Sequence, residues 1–261
     1  MRGLAGKVIV IAGAGGIGTA TAVRLAEEGA HVVVGDLYAE AAEAAAEQAR
    51  QAAQKRGNET GGKAVGIVAD IADEASVREL VQLAVKTHGG LDGMFANAAN
   101  IAILPRDGDA LTLSLEDFDA SVAVNLRGHL ICTKQALPEM LKRGGGSIVY
   151  TSSAAAYMGE EVRLAYAITK NGLHGLLRHV ASRWGKQGIR ANAVAPGLVL
   201  TPQLKQAMSP EILDAVMAIT RSPRAGDGKD IAAMVTMLMS ADGEWINGQI
   251  MGVNGGVLMG P

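Results

Sequence analysis

Tyr166 and Lys170 stand one helical turn apart in Tyr166-Ala167-Ile168-Thr169-Lys170, and Ser153 lies thirteen residues upstream of that tyrosine, at the end of an apolar run. These residue types outline a proton-transfer site. A phenol, with an ordinary pKa near ~10, is a poor acid or base at neutral pH unless a fixed positive charge favours the phenolate. A lysine at i+4 puts that charge on the same helix face. A hydroxyl on a strand end, that of Ser153, can then hold a substrate oxygen within reach of the phenol. Alone, the spacing is weak evidence, since a solvated tyrosine over a lysine stem produces it too.

The N-terminus adds weight. Residues 7 to 18 read as an apolar strand, then Gly13-x-Gly15-x-x-Gly18, then an alanine-rich helix. The first glycine permits a tight turn, the second lets the backbone approach a pyrophosphate, and the third allows close helix packing while helix amides face the phosphates. Asp36 ends a second apolar strand, eighteen residues after Gly18. A carboxylate there accepts from a ribose 2'-hydroxyl and repels a 2'-phosphate, which favours NAD over NADP.

With these motifs in order, the chain resembles the short-chain dehydrogenase/reductases along essentially its whole length. The resemblance also rests on Asp70-Ile71, Asn97-Ala98-Ala99, Asn125, Ser152-Ser153, Asn192 to Gly197, Thr201 and Asn247 to Gly256. It implies that Tyr166 is the acid or base, that Ser153 positions the substrate oxygen, and that Lys170 lowers the phenol pKa and bonds the nicotinamide ribose. Asn125 would hold a water linking Lys170 to solvent. Its residue type also suits a helix bend or a locally satisfied buried polar group. The same resemblance implies cofactor contacts for Gly13, Gly15, Gly16, Ile17, Gly18, Asp36 and Leu37. Asp70 and Ile71 would meet the adenine, Asn97 and Ala98 the adenosine side, and Pro196, Gly197, Val199 and Thr201 the nicotinamide.

Two motifs depart from the family pattern. The glycine loop, usually Thr-Gly-x-x-x-Gly-x-Gly, is one residue shorter in Ala12 to Gly18 and lacks the threonine. The motif usually written Asn-Asn-Ala-Gly is Ala96-Asn97-Ala98-Ala99. Both changes fall near the expected cofactor floor and leave the catalytic positions untouched.

The chain has 261 residues, 49% hydrophobic and 19% charged, with a net charge of -2. No linker pattern divides it, so one domain over 1–261 is expected. Near-neutral charge argues against a nucleic-acid partner. No run approaches the ~20 apolar residues of a membrane helix. The lone Cys132 precludes an internal disulfide, and no N-terminal signal pattern is present, so a reducing cytoplasm is expected. Cys132 falls in a predicted buried helix and suits packing.

Strand patterns at 7–12, 31–35, 64–69, 93–97, 146–152, 189–195 and 249–253 alternate with helix-length segments. Val77, Leu80, Val81, Ala84 and Val85 form one helical apolar stripe. The pattern predicts an α/β, Rossmann-type, doubly wound parallel sheet of about seven strands, with ligands at the strand carboxyl ends. Each motif named above falls at such an end or at the next helix start.

Between Thr201 and Pro223 a short helical hairpin is predicted, with Leu204, Met208, Ile212, Leu213, Val216, Met217 and Ile219 apolar. The resemblance implies a flexible lid over about 198–223, and its methionines suit an adaptable substrate wall. Completing a core or a subunit contact is the alternative. Tyr157 and Met158 suit either substrate contact or a plain loop. Glu160, Glu161 and Arg163 read as a solvated charge cluster.

The expected activity is hydride transfer between NAD and a hydrophobic secondary alcohol or ketone. Alternatives are an NADPH-dependent 3-oxoacyl thioester reductase and a non-catalytic dinucleotide-binding protein. No metal site is expected. A homotetramer is implied by the resemblance, supported by the apolar tail 246–261 and by Ile231, Met234, Val235 and Leu238 on one helix face, which a monomer would leave partly wet. The alternative is that tail and helix close the chain's own core.

Overall fold

Runs of valine, isoleucine and alanine with no polar alternation need cover on both faces. In a computed structural model describing residues 1–57, 62–201, 204–205 and 208–259, helices on each side of one sheet provide it. Seven parallel strands lie in the order β3-β2-β1-β4-β5-β6-β7. They are β1 Val8–Ala12, β2 His31–Asp36, β3 Ala64–Val68, β4 Gly93–Ala96, β5 Gly146–Thr151, β6 Ile189–Pro196 and β7 Ile250–Val253. Every end falls within one residue of its expected place. The strand order reverses between β1 and β4, which opens a crevice at their carboxyl ends.

One core joins β1, β4 and β5 to helices α3 Glu74–His88, α5 His129–Lys142 and α6 Leu164–Trp184. The other lies across the sheet against α1 Gly16–Glu27 and α2 Ala39–Lys55. Helix α3 forms as its stripe predicts, with the Asp73 carboxylate capping its start and left-handed Gly89 ending it. Helix α4 Leu115–Val122 runs through a π turn, Ala123–Gly128, into α5. Cys132 is buried in α5 with its thiol pushed up to about 12 by burial, as suits packing.

Two apolar helix faces are disposed differently. No residue of helix α7, Pro210–Ile219, is buried, so it does not complete the core. Helix α8, Gly228–Met239, buries Ile231, Val235 and Leu238 inside the chain's own second core. The expectation that a monomer leaves this face partly wet is corrected for Ile231, Val235 and Leu238, which α1 and the sheet cover, while Met234 is partly buried; would-be bulk at Gly228 meets the Gly16 carbonyl at 2.7 Å. The edge strand β7 is partly buried, with only Gly252 exposed. Residues 202–203 and 206–207 of the expected lid, 58–61 of the break before β3, and 260–261 of the tail lie outside the described residues. No described helix is long and apolar enough to cross a membrane.

Candidate active site

At the end of β1, Gly13 takes φ 109°, where a Cβ would strike the Ala98 nitrogen at 2.6 Å. A Cβ on Gly18 would strike the Gly13 carbonyl, so both glycines are demanded by backbone approach. Gly15 differs: a Cβ there meets nothing within 4 Å. It is the N-cap of α1 and offers no side-chain acceptor to the first-turn amides. The result is an open cradle at a helix N-terminus, which fits the pyrophosphate of a dinucleotide. Gly16 packs under Thr201, whose Cγ2 would lie 2.6 Å from an added Cβ.

Asp36 lies at the end of β2 beside this cradle. Its carboxylate accepts the Ala14 N–H at 2.7 Å and the Tyr38 N–H at 3.1 Å, which ties the shortened loop to β2. Leu37 follows it and is exposed. Asp70 uses its carboxylate locally, accepting from Ala72 N–H, while the Ile71 side chain is buried against Gly128. Gly197 donates to the Val253 carbonyl, and Val199 is buried beside a bridge to Gly226. Pro196 closes β6.

A chain of hydrogen bonds connects the glycine loop to the lysine. Asn97 Nδ2 donates to the Gly13 carbonyl at 3.0 Å, and Thr151 Oγ1 donates to Asn97 Oδ1 at 2.9 Å. Lys170 Nζ then donates to the Thr151 carbonyl at 2.8 Å. The ends of β1, β4 and β5 and the helix α6 are thus joined through polar contacts.

Tyr166 and Lys170 share one face of α6, with Nζ 5.6 Å from the phenol ring centroid. Lys170 is buried, and desolvation pulls its ammonium down to about 8. On balance the Tyr166 phenol is shifted upward. Burial dominates and raises that phenol, opposed by hydrogen bonding with Ser153 and by the Arg163 charge. The ammonium keeps its charge while it donates to the Thr151 carbonyl, and it lies over the Tyr166 ring. Ser153, extended at φ -160°, presents its hydroxyl to the phenol and also accepts from Ala155 N–H at 3.2 Å.

The helix start depends on a residue absent from the motif reading. Arg163 precedes α6 in the left-handed region, φ 66°, and gives no side-chain cap. Asp107, 3% exposed, caps the helix from a distant loop. Its carboxylate accepts Ala165 N–H at 2.9 Å and Tyr166 N–H at 2.8 Å, and its carbonyl accepts Arg163 N–H at 2.7 Å. Arg163 also pairs with Glu160, so this cluster is partly ordered, and its charge reaches the phenol.

Asn125 sits in the π turn with Oδ1 accepting Asn100 N–H at 2.8 Å. One turn on, His129 is fully buried and electrostatically coupled to Lys170, with its imidazole pushed down to about 3, chiefly by burial. Neither Asp107 nor His129 carried a local signal, because both meet their partners across the fold.

The family model described as enoyl-(acyl carrier protein) reductase matches residues 11–258. A probable short-chain type dehydrogenase/reductase of Bradyrhizobium diazoefficiens is 39% identical over 254 residues, 97% of this chain and 88% of that protein. Levodione reductase of Leifsonia aquatica is 33% identical over 258 residues, 96% of this chain and 93% of that one. Among solved structures, 7α-hydroxysteroid dehydrogenase complexed with NADH and 7-oxo glycochenodeoxycholic acid superposes with a TM-score of 0.87, at 32% identity, over 98% of this chain and 95% of that one.

Proposed function

The chain belongs to the short-chain dehydrogenase/reductase family of oxidoreductases, and on that premise we propose that it interconverts a hydrophobic secondary alcohol and its ketone with NAD. The observation that carries this reading is the convergence of Ser153, Tyr166 and Lys170 beside the open glycine cradle. Bound there, NAD would accept the hydride in oxidation and, as NADH, return it in reduction.

The chain's own groups handle the oxygen and its proton. In oxidation the Tyr166 oxygen takes the alcohol O–H proton while the C–H bond breaks and its electron pair leaves with the hydrogen. In reduction the phenol gives its proton to the ketone oxygen. Ser153 holds that oxygen, and Lys170 keeps a positive charge against the ring that becomes anionic. The Asp36 carboxylate supports NAD over NADP. The half-exposed helix Pro210–Ile219 would form the apolar substrate wall and lid.

A second reading, an NADPH-dependent 3-oxoacyl thioester reductase, is supported by 32% identity over 259 residues to the 3-oxoacyl-(acyl-carrier-protein) reductase FabG of Thermotoga maritima. Asp36 followed by exposed Leu37 in place of a basic side chain weighs against it.

The test is NADH production over a panel of cyclic and aromatic secondary alcohols, with Tyr166→Phe as control. The variant should bind NADH normally and lose about 10²- to 10⁴-fold in turnover. Near-native turnover in the variant would remove Tyr166 from the chemistry.

A further inference from the structure

Tyr166, Lys170 and His174 form one i, i+4, i+8 ridge on the catalytic helix. The third member has no part in the chemistry above. His174 is 4% exposed, and its Nε2 lies 2.7 Å from Ser152 Oγ. The Ser152 hydroxyl, 1% exposed, donates to the Lys170 carbonyl at 3.2 Å. A hydroxyl has one proton to give. With that proton on the Lys170 carbonyl, the Ser152 oxygen is left to accept, and His174 is the Nε2–H tautomer that donates to it. The Tyr157 ring lies over the imidazole, centroids 5.1 Å apart at 31°, and fixes the ring plane.

Three successive residues at the end of β5 therefore meet the ridge in register. The Thr151 carbonyl takes Lys170 Nζ, Ser152 bonds both the Lys170 carbonyl and His174, and Ser153 faces the Tyr166 phenol. Planar peptides couple the middle residue to its neighbours, so a shift at Ser152 moves both contacts that matter for proton transfer. We propose, resting on the oxidoreductase reading, that His174 is a positioning residue. Through Ser152 it locks the strand end to the catalytic helix, so that Ser153 and Tyr166 address the same substrate oxygen.

His174→Phe keeps a ring against Tyr157 and removes the donor, whereas His174→Gln keeps an N–H near the position of Nε2. The Phe variant should lose about tenfold to a hundredfold in kcat, as expected for a misplacement on the order of 1 Å. Its NADH dissociation constant by fluorescence titration, its KM for the alcohol and its melting temperature should stay close to wild type. His174→Gln should recover most of the kcat. Ser152→Ala should reproduce the loss, and Ser152→Ala with His174→Phe should add nothing further. Unchanged kcat in either single variant, equal losses in Phe and Gln, or additive losses in the double variant would overturn the proposal. If His174→Phe does not fold, Ser152→Ala and His174→Gln still decide it. A wild-type protein that turns over no alcohol or ketone with either dinucleotide would instead sink the oxidoreductase reading.

Discussion

The carboxylate of Asp107 accepts the backbone N–H of Tyr166 at 2.8 Å, so the helix bearing the proposed acid is capped at that very residue. A second bond, from Ala165 N–H at 2.9 Å, uses the other carboxylate oxygen. Asp107→Ala removes both acceptors from a buried helix start. Loss of a cap costs roughly 0.5–2 kcal/mol, and unsatisfied buried amides add about 1–3 kcal/mol. Urea unfolding should show a lower midpoint at unchanged slope, with kcat reduced and NADH affinity retained. Asp107→Asn should fall between, because an amide offers one acceptor oxygen. A wild-type midpoint in the alanine variant would show that the helix start stands without this cap.

Asp36 ties down the glycine loop, and we propose that it also sets cofactor choice. NADH should bind more tightly than NADPH to the wild type. Asp36→Ala with Leu37→Arg should reverse that order by replacing repulsion with attraction at the 2'-phosphate. Because the carboxylate also accepts from Ala14 N–H, the variant should bind NADH less tightly through a loosened loop as well. Titration of each dinucleotide checks this, and a wild-type preference for NADPH would defeat the assignment.

Acid should destabilise the fold through its buried and partly buried histidines. His31, His88, His129 and His174 are all shifted downward, chiefly by burial, with His129 pushed to about 3. A base with a depressed folded pKa contributes no penalty above its unfolded value, near ~6.5. Below it the unfolded chain binds more protons, so stability falls with pH. For His129 the loss continues towards about pH 3. Urea midpoints from pH 7 to 5 should decline, and His129→Leu should flatten the slope by roughly 1.4 kcal/mol per pH unit. An unchanged slope would mean that the imidazole is not held neutral by burial.

Assembly can be read from the remaining apolar surface. Trp245 is 99% exposed, Leu111 95% and Leu115 80%. The homotetramer that the family resemblance implies remains our proposal, and these exposed side chains, rather than the buried residues of Gly228–Met239, are the apolar surface it would cover. Light scattering at micromolar concentration should give four times the 26.8 kDa chain mass. A single-chain mass would rule the assembly out.

The legible parts of this protein are those encoded by local spacing. Tyr166 and Lys170 declare their shared face because a helix turns every ~3.6 residues. The seven strands declare themselves because unbroken β-branched runs suit a sheet buried on both faces. Gly13 and Gly18 declare the turn, since a Cβ at either would strike backbone. Even the face of Gly228–Met239 was legible as apolar, although pattern alone cannot say whether a neighbouring subunit or the same chain covers it.

Tertiary structure decided which partners meet. Asp107 reaches Tyr166 across 59 positions and Ser152 reaches His174 across 22, so no window of helical or strand period contains either pair. The electrostatics belong to the same class. A lysine four residues from a tyrosine favours the phenolate, but the spacing does not say how far the phenol is withdrawn from water. Here that withdrawal outweighs the opposing Ser153 bond and Arg163 charge and sets the net shift upward. Spacing along the chain sets the direction in which a side chain projects. Burial and the identity of the distant partner set its charge and bonding, and those exist only once the strands and helices have packed.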